Sequence, residues 1–161
     1  MILSKRLIKY WLPVALWMAF IYWMSTDTFS SENTSLFIEP AIRLLLPTAT
    51  PEQVNLYHAI IRKAAHVFEY FILGCLLFRA FRADSSKSWS WQWPLLAVVV
   101  LALWAGSDEF HQWFVPSRGA SIKDVGIDVA GGVLAQIVIT LWVHQKKSEP
   151  PDAKAHFEEA S

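Results

Sequence analysis

Residues Ser107 to Gly132 read S-D-E-F-H-Q-W-F-V-P-S-R-G-A-S-I-K-D-V-G-I-D-V-A-G-G. Asp108, Glu109, His111, Arg118, Asp124 and Asp128 lie between and inside two segments otherwise apolar enough for a bilayer. A tight F-V-P-S-R-G-A-S turn joins those segments, so the stretch reads as a helical hairpin with its ionisable groups gathered towards the tip. Ionisable groups at membrane depth are costly and mark a polar pocket or a transport path. Function is therefore to be sought here, and the rest of the chain explains how such a pocket is built.

The 161 residues are 54% hydrophobic and include nine tryptophans, and the apolar residues are gathered into long blocks rather than spread at helix or strand periods. A run of about 20 apolar residues crosses a hydrocarbon core of roughly 30 Å. Four blocks approach that length: Leu7 to Met24, the apolar part of a helix from Pro51 to Phe81, Trp93 to Trp113, and Lys123 to Val143. The pattern predicts an all-α membrane protein, with four transmembrane helices in a small bundle over residues 1–144. Residues 145–161 have little apolar content and are predicted to form a disordered cytoplasmic tail. The formal net charge is zero, and no basic patch is interleaved with exposed aromatics, which argues against nucleic acid. Cys75 is the only cysteine, so neither an intramolecular disulfide nor a thiolate metal site follows. The N-terminus has the charge order of a signal peptide, but its apolar run is long and no cleavage pattern follows, which predicts a retained helix.

Lys5, Arg6 and Lys9 open the first block, and Tyr10, Trp11, Tyr22 and Trp23 mark its ends, as interfacial residues do. Thr26 to Ala49 is too polar to span. Its stretch S-L-F-I-E-P-A-I-R-L-L-L-P predicts a short amphipathic extracytoplasmic piece that lies along the membrane surface or covers the helices as a lid. Thr50-Pro51-Glu52-Gln53 offers an N-cap, a proline at the first helical position and a glutamine at the third. Gly126/Ala130 and Gly131/Ala135 place small residues four apart, which predicts the last helix as the central packing element. Trp89, Trp91 and Trp93 suit an interface. Of the 14 lysines and arginines, nine fall on one side and five on the other when both termini are cytoplasmic, the arrangement the positive-inside rule favours. The Thr26 to Arg62 segment and the Pro-Ser-Arg turn then face outward.

From the outer helix ends, a rise of about 1.5 Å per residue puts His66 and His111 roughly 4.5 Å deep, and Glu69, Asp108 and Asp128 roughly 9 Å deep. Arg62, His66, Glu69 and Tyr70 share one face, as do Asp108, His111 and Gln112, and Asp124 and Asp128, because neighbours three and four apart stack. The simplest arrangement points the three faces at one another. Several carboxylates in one low-dielectric pocket share protons, pair with Arg62, Lys63, Arg118 or Lys123, or hold a cation. His66, Glu69, Asp108, His111 and Asp128 have ligand types suited to zinc or another divalent metal. Glu69, Asp108 or Asp128 as general base, with His66 or His111 as proton shuttle, would suit an enzyme. Any single pair is explained as readily by polar fastening between helices. Ser107 and Ser121 lack a nucleophile's setting and read as packing and turn residues, and His58, His144 and His156 read as surface residues.

Arg62-Lys63-Ala64-Ala65-His66-Val67-Phe68-Glu69-Tyr70, the Asp108-Glu109-Phe110-His111-Gln112-Trp113-Phe114-Val115-Pro116-Ser117-Arg118 run and Asp124 to Gly132 together resemble the VanZ-like family of bacterial membrane proteins. The likeness spans Leu7 to Val143, and Pro116-Ser117-Arg118 stands where that family usually has Pro-Gly-Arg. The resemblance implies polar site positions at Lys63, His66, Glu69, Tyr70, Asp108, Glu109, His111, Gln112, Arg118, Asp124 and Asp128. It also implies a multi-pass protein of the bacterial plasma membrane, and the founding member is associated with resistance to the glycopeptide teicoplanin. It implies no reaction. Two readings follow: an envelope protein binding a lipid head group or lipid-linked cell-wall precursor, and a membrane-embedded, metal-dependent enzyme acting on an outer-leaflet lipid. Proton-coupled transport is a poorer fit to four helices without a repeat, and only a homo-oligomer would rescue it.

Overall fold

The computed structural model describes residues 5–87, 89–115 and 121–148. Arg118 and the rest of the Pro-Ser-Arg turn lie outside the described residues, as do residues 149–161 of the tail expected from residue 145, whereas residues 145–148 are helical. Among the described residues five long helices make up the fold: α1 (Leu7–Met24), α2 (Ser31–Leu45), α3 (Pro51–Arg82), α4 (Gln92–Gln112) and α5 (Ile122–Ser148). α1, α3, α4 and α5 are each long and apolar enough to cross a membrane. No more than 39% of the apolar window of any of them is buried against protein. Water would not tolerate so much exposed apolar surface, whereas lipid does. The chain is a multi-pass membrane protein.

α1 opens with a π-helical turn, Leu7–Trp11, in which the Leu12 N–H reaches back five residues to the Leu7 carbonyl. Pro13 explains the wider turn: its ring crowds the carbonyl four residues earlier and it has no N–H to offer. That carbonyl, on Lys9, accepts from Arg79 Nη2 of α3 at 3.2 Å. Beside it, Asp84 accepts from the Tyr10 hydroxyl and from Arg6 Nε at 3.1 Å, and Lys9 Nζ lies 3.6 Å away. The Tyr10 hydrogen bond first, then Lys9 and Arg6, hold the Asp84 carboxyl below the usual carboxylate range. One end of the bundle is thus fastened by charges.

α3 begins at the expected capping box, with Thr50 Oγ1 accepting from Gln53 N and Gln53 Oε1 from Thr50 N. Its 32 residues span roughly 48 Å, longer than the hydrocarbon, so its first turns stand outside the core. It ends at Ala83, whose φ of 40° falls in the left-handed region. α3 packs against every other helix, and α5 against α3 and α4. The centre of the fold is therefore α3 rather than the last helix. Between them the expected small residues divide: Gly131 lies so close to α3 that a Cβ there would fall 2.5 Å from the Val67 carbonyl oxygen, while a Cβ on Gly126 would meet nothing. Gly126 and Ala130 face outward. Gln136 fastens the same seam, its Nε2 donating to the Gly74 carbonyl at 2.9 Å.

α2 is the predicted amphipathic segment and covers the first turns of α3. Ser30 caps it by accepting from Asn33 N, Ile42 is buried against the protein, and Leu36, Phe37, Leu44 and Leu45 face outward. His58 is consequently buried rather than superficial, with its Nε2 3.1 Å from Thr34 Oγ1. Trp89 and Trp93 pack on Phe78, while Trp91 stays exposed.

Candidate functional site

The polar residues gather at the end where α1 and α4 finish and α3 and α5 begin. At that end His66 Nδ1 of α3 lies 3.2 Å from Asp128 Oδ1 of α5, a distance that suits an imidazole N–H donating to a carboxylate. His66 is half-buried and Asp128 only 2% exposed. The close contact of Gly131 with Val67 lies within one helical turn of this pair, since Gly131 follows Asp128 by three residues and Val67 follows His66.

Two pockets flank the pair. One, of about 190 Å³, lies between α3 and α5 and is lined by Ser31, Ala59, Arg62, Lys63, His66, Asp124, Ile127 and Asp128. The other, of about 140 Å³, runs beneath α2 and is lined by Met24, Ser25, Phe29, Thr34, Ile38, Ile61, Arg62, Ala65, His66 and Glu69. Arg62 and His66 border both. Arg62 also donates to Ser31 Oγ, so the lid helix is latched to the pocket rim by the guanidinium.

Asp108 turns elsewhere. Its Oδ2 accepts from Ser25 Oγ of α1 at 2.6 Å and from Gln112 Nε2 at 3.1 Å, all three residues being buried. Glu109 accepts from the Ser121 backbone N–H and so closes the start of α5. His111 stacks on Tyr22 of α1, ring centroids 4.5 Å apart, rather than joining His66. The three faces therefore converge only in part. Glu69, Asp108, Glu109 and Asp128 surround the fully buried Tyr70 electrostatically, yet only Asp124 and Asp128 share the α3–α5 pocket with the cations. Among the described residues no three histidine, cysteine, aspartate or glutamate side chains form a group that could hold a metal. The donors named from the sequence are divided between two sets of partners.

Ser25 and Thr34 belong to the site although neither stands out in the sequence. Ser25 directly follows the last residue of α1, and its partner lies 83 positions away. The one available signal was a hydroxyl at the same end of α1 at which α4 carries its carboxylates.

A family model described as VanZ/LLP1 matches residues 10–143. The chain belongs to the VanZ/LLP1 family. No curated protein and no solved structure matches it significantly. The VanZ/LLP1 match takes in α2, α3 and α4 whole, most of α1 and α5, and every residue lining the two pockets. The motifs that carry the likeness, around Lys63 to Tyr70, Asp108 to Gln112 and Asp124 to Asp128, are those that bring α3, α4 and α5 together at the polar end.

Proposed function

We propose that this VanZ/LLP1 protein binds the polar head of a membrane lipid or lipid-linked cell-wall component in a pocket that opens to the outer face of the bacterial plasma membrane. One observation carries the reading: a pocket of about 190 Å³ lies within membrane-spanning helices, yet is lined by Arg62, Lys63, His66, Asp124 and Asp128. Fastening two helices requires one such pair. Five ionisable side chains around open space are better explained by something polar that fills it. The excess of lysine and arginine at the other end supports cytoplasmic termini, with the pocket and α2 outside. A wall-component ligand would account for the link between this family and teicoplanin resistance.

The His66–Asp128 pair supports a second reading, in which a general base beside the pocket acts on an outer-leaflet lipid. Native mass spectrometry of protein purified in mild detergent without chelator separates the two. A co-purifying lipid that is lost from a Glu69→Gln/Asp128→Asn double variant supports head-group binding. A divalent ion present in the wild type and absent from the variant favours the enzyme, and bare protein in both forms returns the cluster to helix fastening.

A further inference from the structure

The α3–α5 pocket is lined by charges of both signs, with no salt bridge from Lys63 or Arg62 to its carboxylates among the described residues. Lys63 is exposed on α3 and Asp124 half-buried on α5, and both line the same space. Among the described residues, neither side chain forms an ion pair or a hydrogen bond. Asp128, behind Asp124 by one helical turn, adds a second carboxylate, already engaged by His66. Arg62, next to Lys63, adds a second cation, with the Ser31 hydroxyl against it.

A simple anion entering this pocket would meet Lys63 and Arg62 but also face two carboxylates. A simple cation would meet the carboxylates and face the guanidinium and ammonium. At a membrane boundary, where the effective dielectric is low, like charges in such proximity cost more than the attractive pair returns. A ligand that carries both signs a few atoms apart satisfies both walls at once.

We propose, resting on the head-group reading above, that this pocket is a zwitterion site, taking a phospholipid head group that carries a phosphate and a primary ammonium. The phosphate lies against Lys63, Arg62 and the Ser31 hydroxyl, which between them offer charge-assisted donors of the kind that bind phosphate. The ammonium lies between Asp124 and Asp128. A primary ammonium has three N–H donors for these oxygens, whereas a quaternary one has none and is held by aromatic cages. Among the described residues the lining contains no phenylalanine, tyrosine or tryptophan, which selects the primary amine over choline. Lys63 stands where the apolar part of α3 begins, so the phosphate stays at the depth of the neighbouring lipid head groups while the amine dips below it.

The test offers the full-length protein, in micelles doped with equimolar phosphatidylethanolamine, phosphatidylcholine and phosphatidylglycerol, and reads retained lipid by native mass spectrometry. Phosphatidylethanolamine is expected to exceed each of the others by about tenfold or more, the effect of one charge-assisted hydrogen bond. Asp124→Asn should remove that excess and raise phosphatidylglycerol relative to it, whereas Lys63→Gln should lower both. Lys63 is exposed, so its variant carries the test if Asp124→Asn does not fold. Equal retention of phosphatidylethanolamine and phosphatidylglycerol, unchanged by Asp124→Asn, would overturn the zwitterion site and leave head-group binding standing. Retention of no phospholipid would overturn both. Free O-phosphoethanolamine that displaces the bound lipid at equal concentration would overturn a phospholipid as the source.

Discussion

Replacing Gly131 with alanine tests whether a backbone contact sets the geometry of the polar site. The added Cβ would lie 2.5 Å from the Val67 carbonyl oxygen and 3.1 Å from its carbonyl carbon and Cα. Those are backbone atoms, and no rotamer change moves them aside. Ordinary contact begins at 3.4 Å, so α5 must retreat from α3 by about 0.9 Å at this level, which is overpacking of the kind that costs about 1–3 kcal/mol. His66 and Asp128 lie one residue and three residues before the clash, on opposite sides of the same seam. Their 3.2 Å separation would open to about 4 Å, beyond hydrogen-bond range. Loss of an interhelical hydrogen bond in a membrane adds about 0.6 kcal/mol, and the better helix propensity of alanine returns up to about 1 kcal/mol. The net expectation is a loss of about 2 kcal/mol, dominated by the overpacking. Unfolding in mixed micelles measures it, and the His66 ring resonances report the parted pair. Gly126→Ala, where a Cβ meets nothing, is the control: it should keep the wild-type His66 signals and gain up to about 1 kcal/mol of stability from helix propensity. A Gly131→Ala protein with wild-type stability and unaltered His66 signals would refute the argument.

Ser25→Ala leaves the buried Asp108 without its 2.6 Å donor and should destabilise the bundle by about 1–2 kcal/mol, seen as earlier detachment of α1 in the same micelle titration. Ala83→Gly relieves a non-glycine residue at φ 40° and should stabilise by about 1 kcal/mol, less the entropy that glycine adds to the unfolded chain. The Asp84 carboxyl titrates below its ordinary value of 3.8 because of Tyr10, Lys9 and Arg6. A carboxylate depressed in the folded state contributes stability that is full above its unfolded pKa and is lost as pH falls through the folded one. Hydrogen exchange at Arg6 to Tyr10 should therefore quicken below pH 3.8, and Asp84→Asn should show that faster exchange at neutral pH with no further acid step.

The four spans were legible because each is a block of apolar residues, and block length needs no tertiary information. The start of α3 was legible too, because Thr50 and Gln53 cap a helix from within four residues. What depended on facing was harder to read. Gly126/Ala130 and Gly131/Ala135 are equivalent as small-residue pairs, yet five residues at about 100° each put them on different sides of α5. Only the second pair meets α3. Depth placed Glu69, Asp108 and Asp128 at one level, but depth does not say that Asp108 prefers a serine of α1 over the pocket. His58 was read as superficial because its own segment is polar, and its burial comes from α2 folding across it. The charged pocket itself followed from the i, i+4 relations Arg62–His66 and Asp124–Asp128, which helix geometry fixes.

Pro13 gives the chain an order of assembly. α1 is synthesised before α3, and the residue that should donate to its Lys9 carbonyl has no N–H. The group that answers it, the Arg79 guanidinium, stands 70 positions later in the chain. Asp84, which gathers Arg6, Lys9 and Tyr10, is made later still. The opening turn of α1 thus waits for the whole of α3 to be inserted before its polar groups are matched. A protein truncated after the first span would carry that unmet demand into the bilayer, where it would be open to recognition as unfinished.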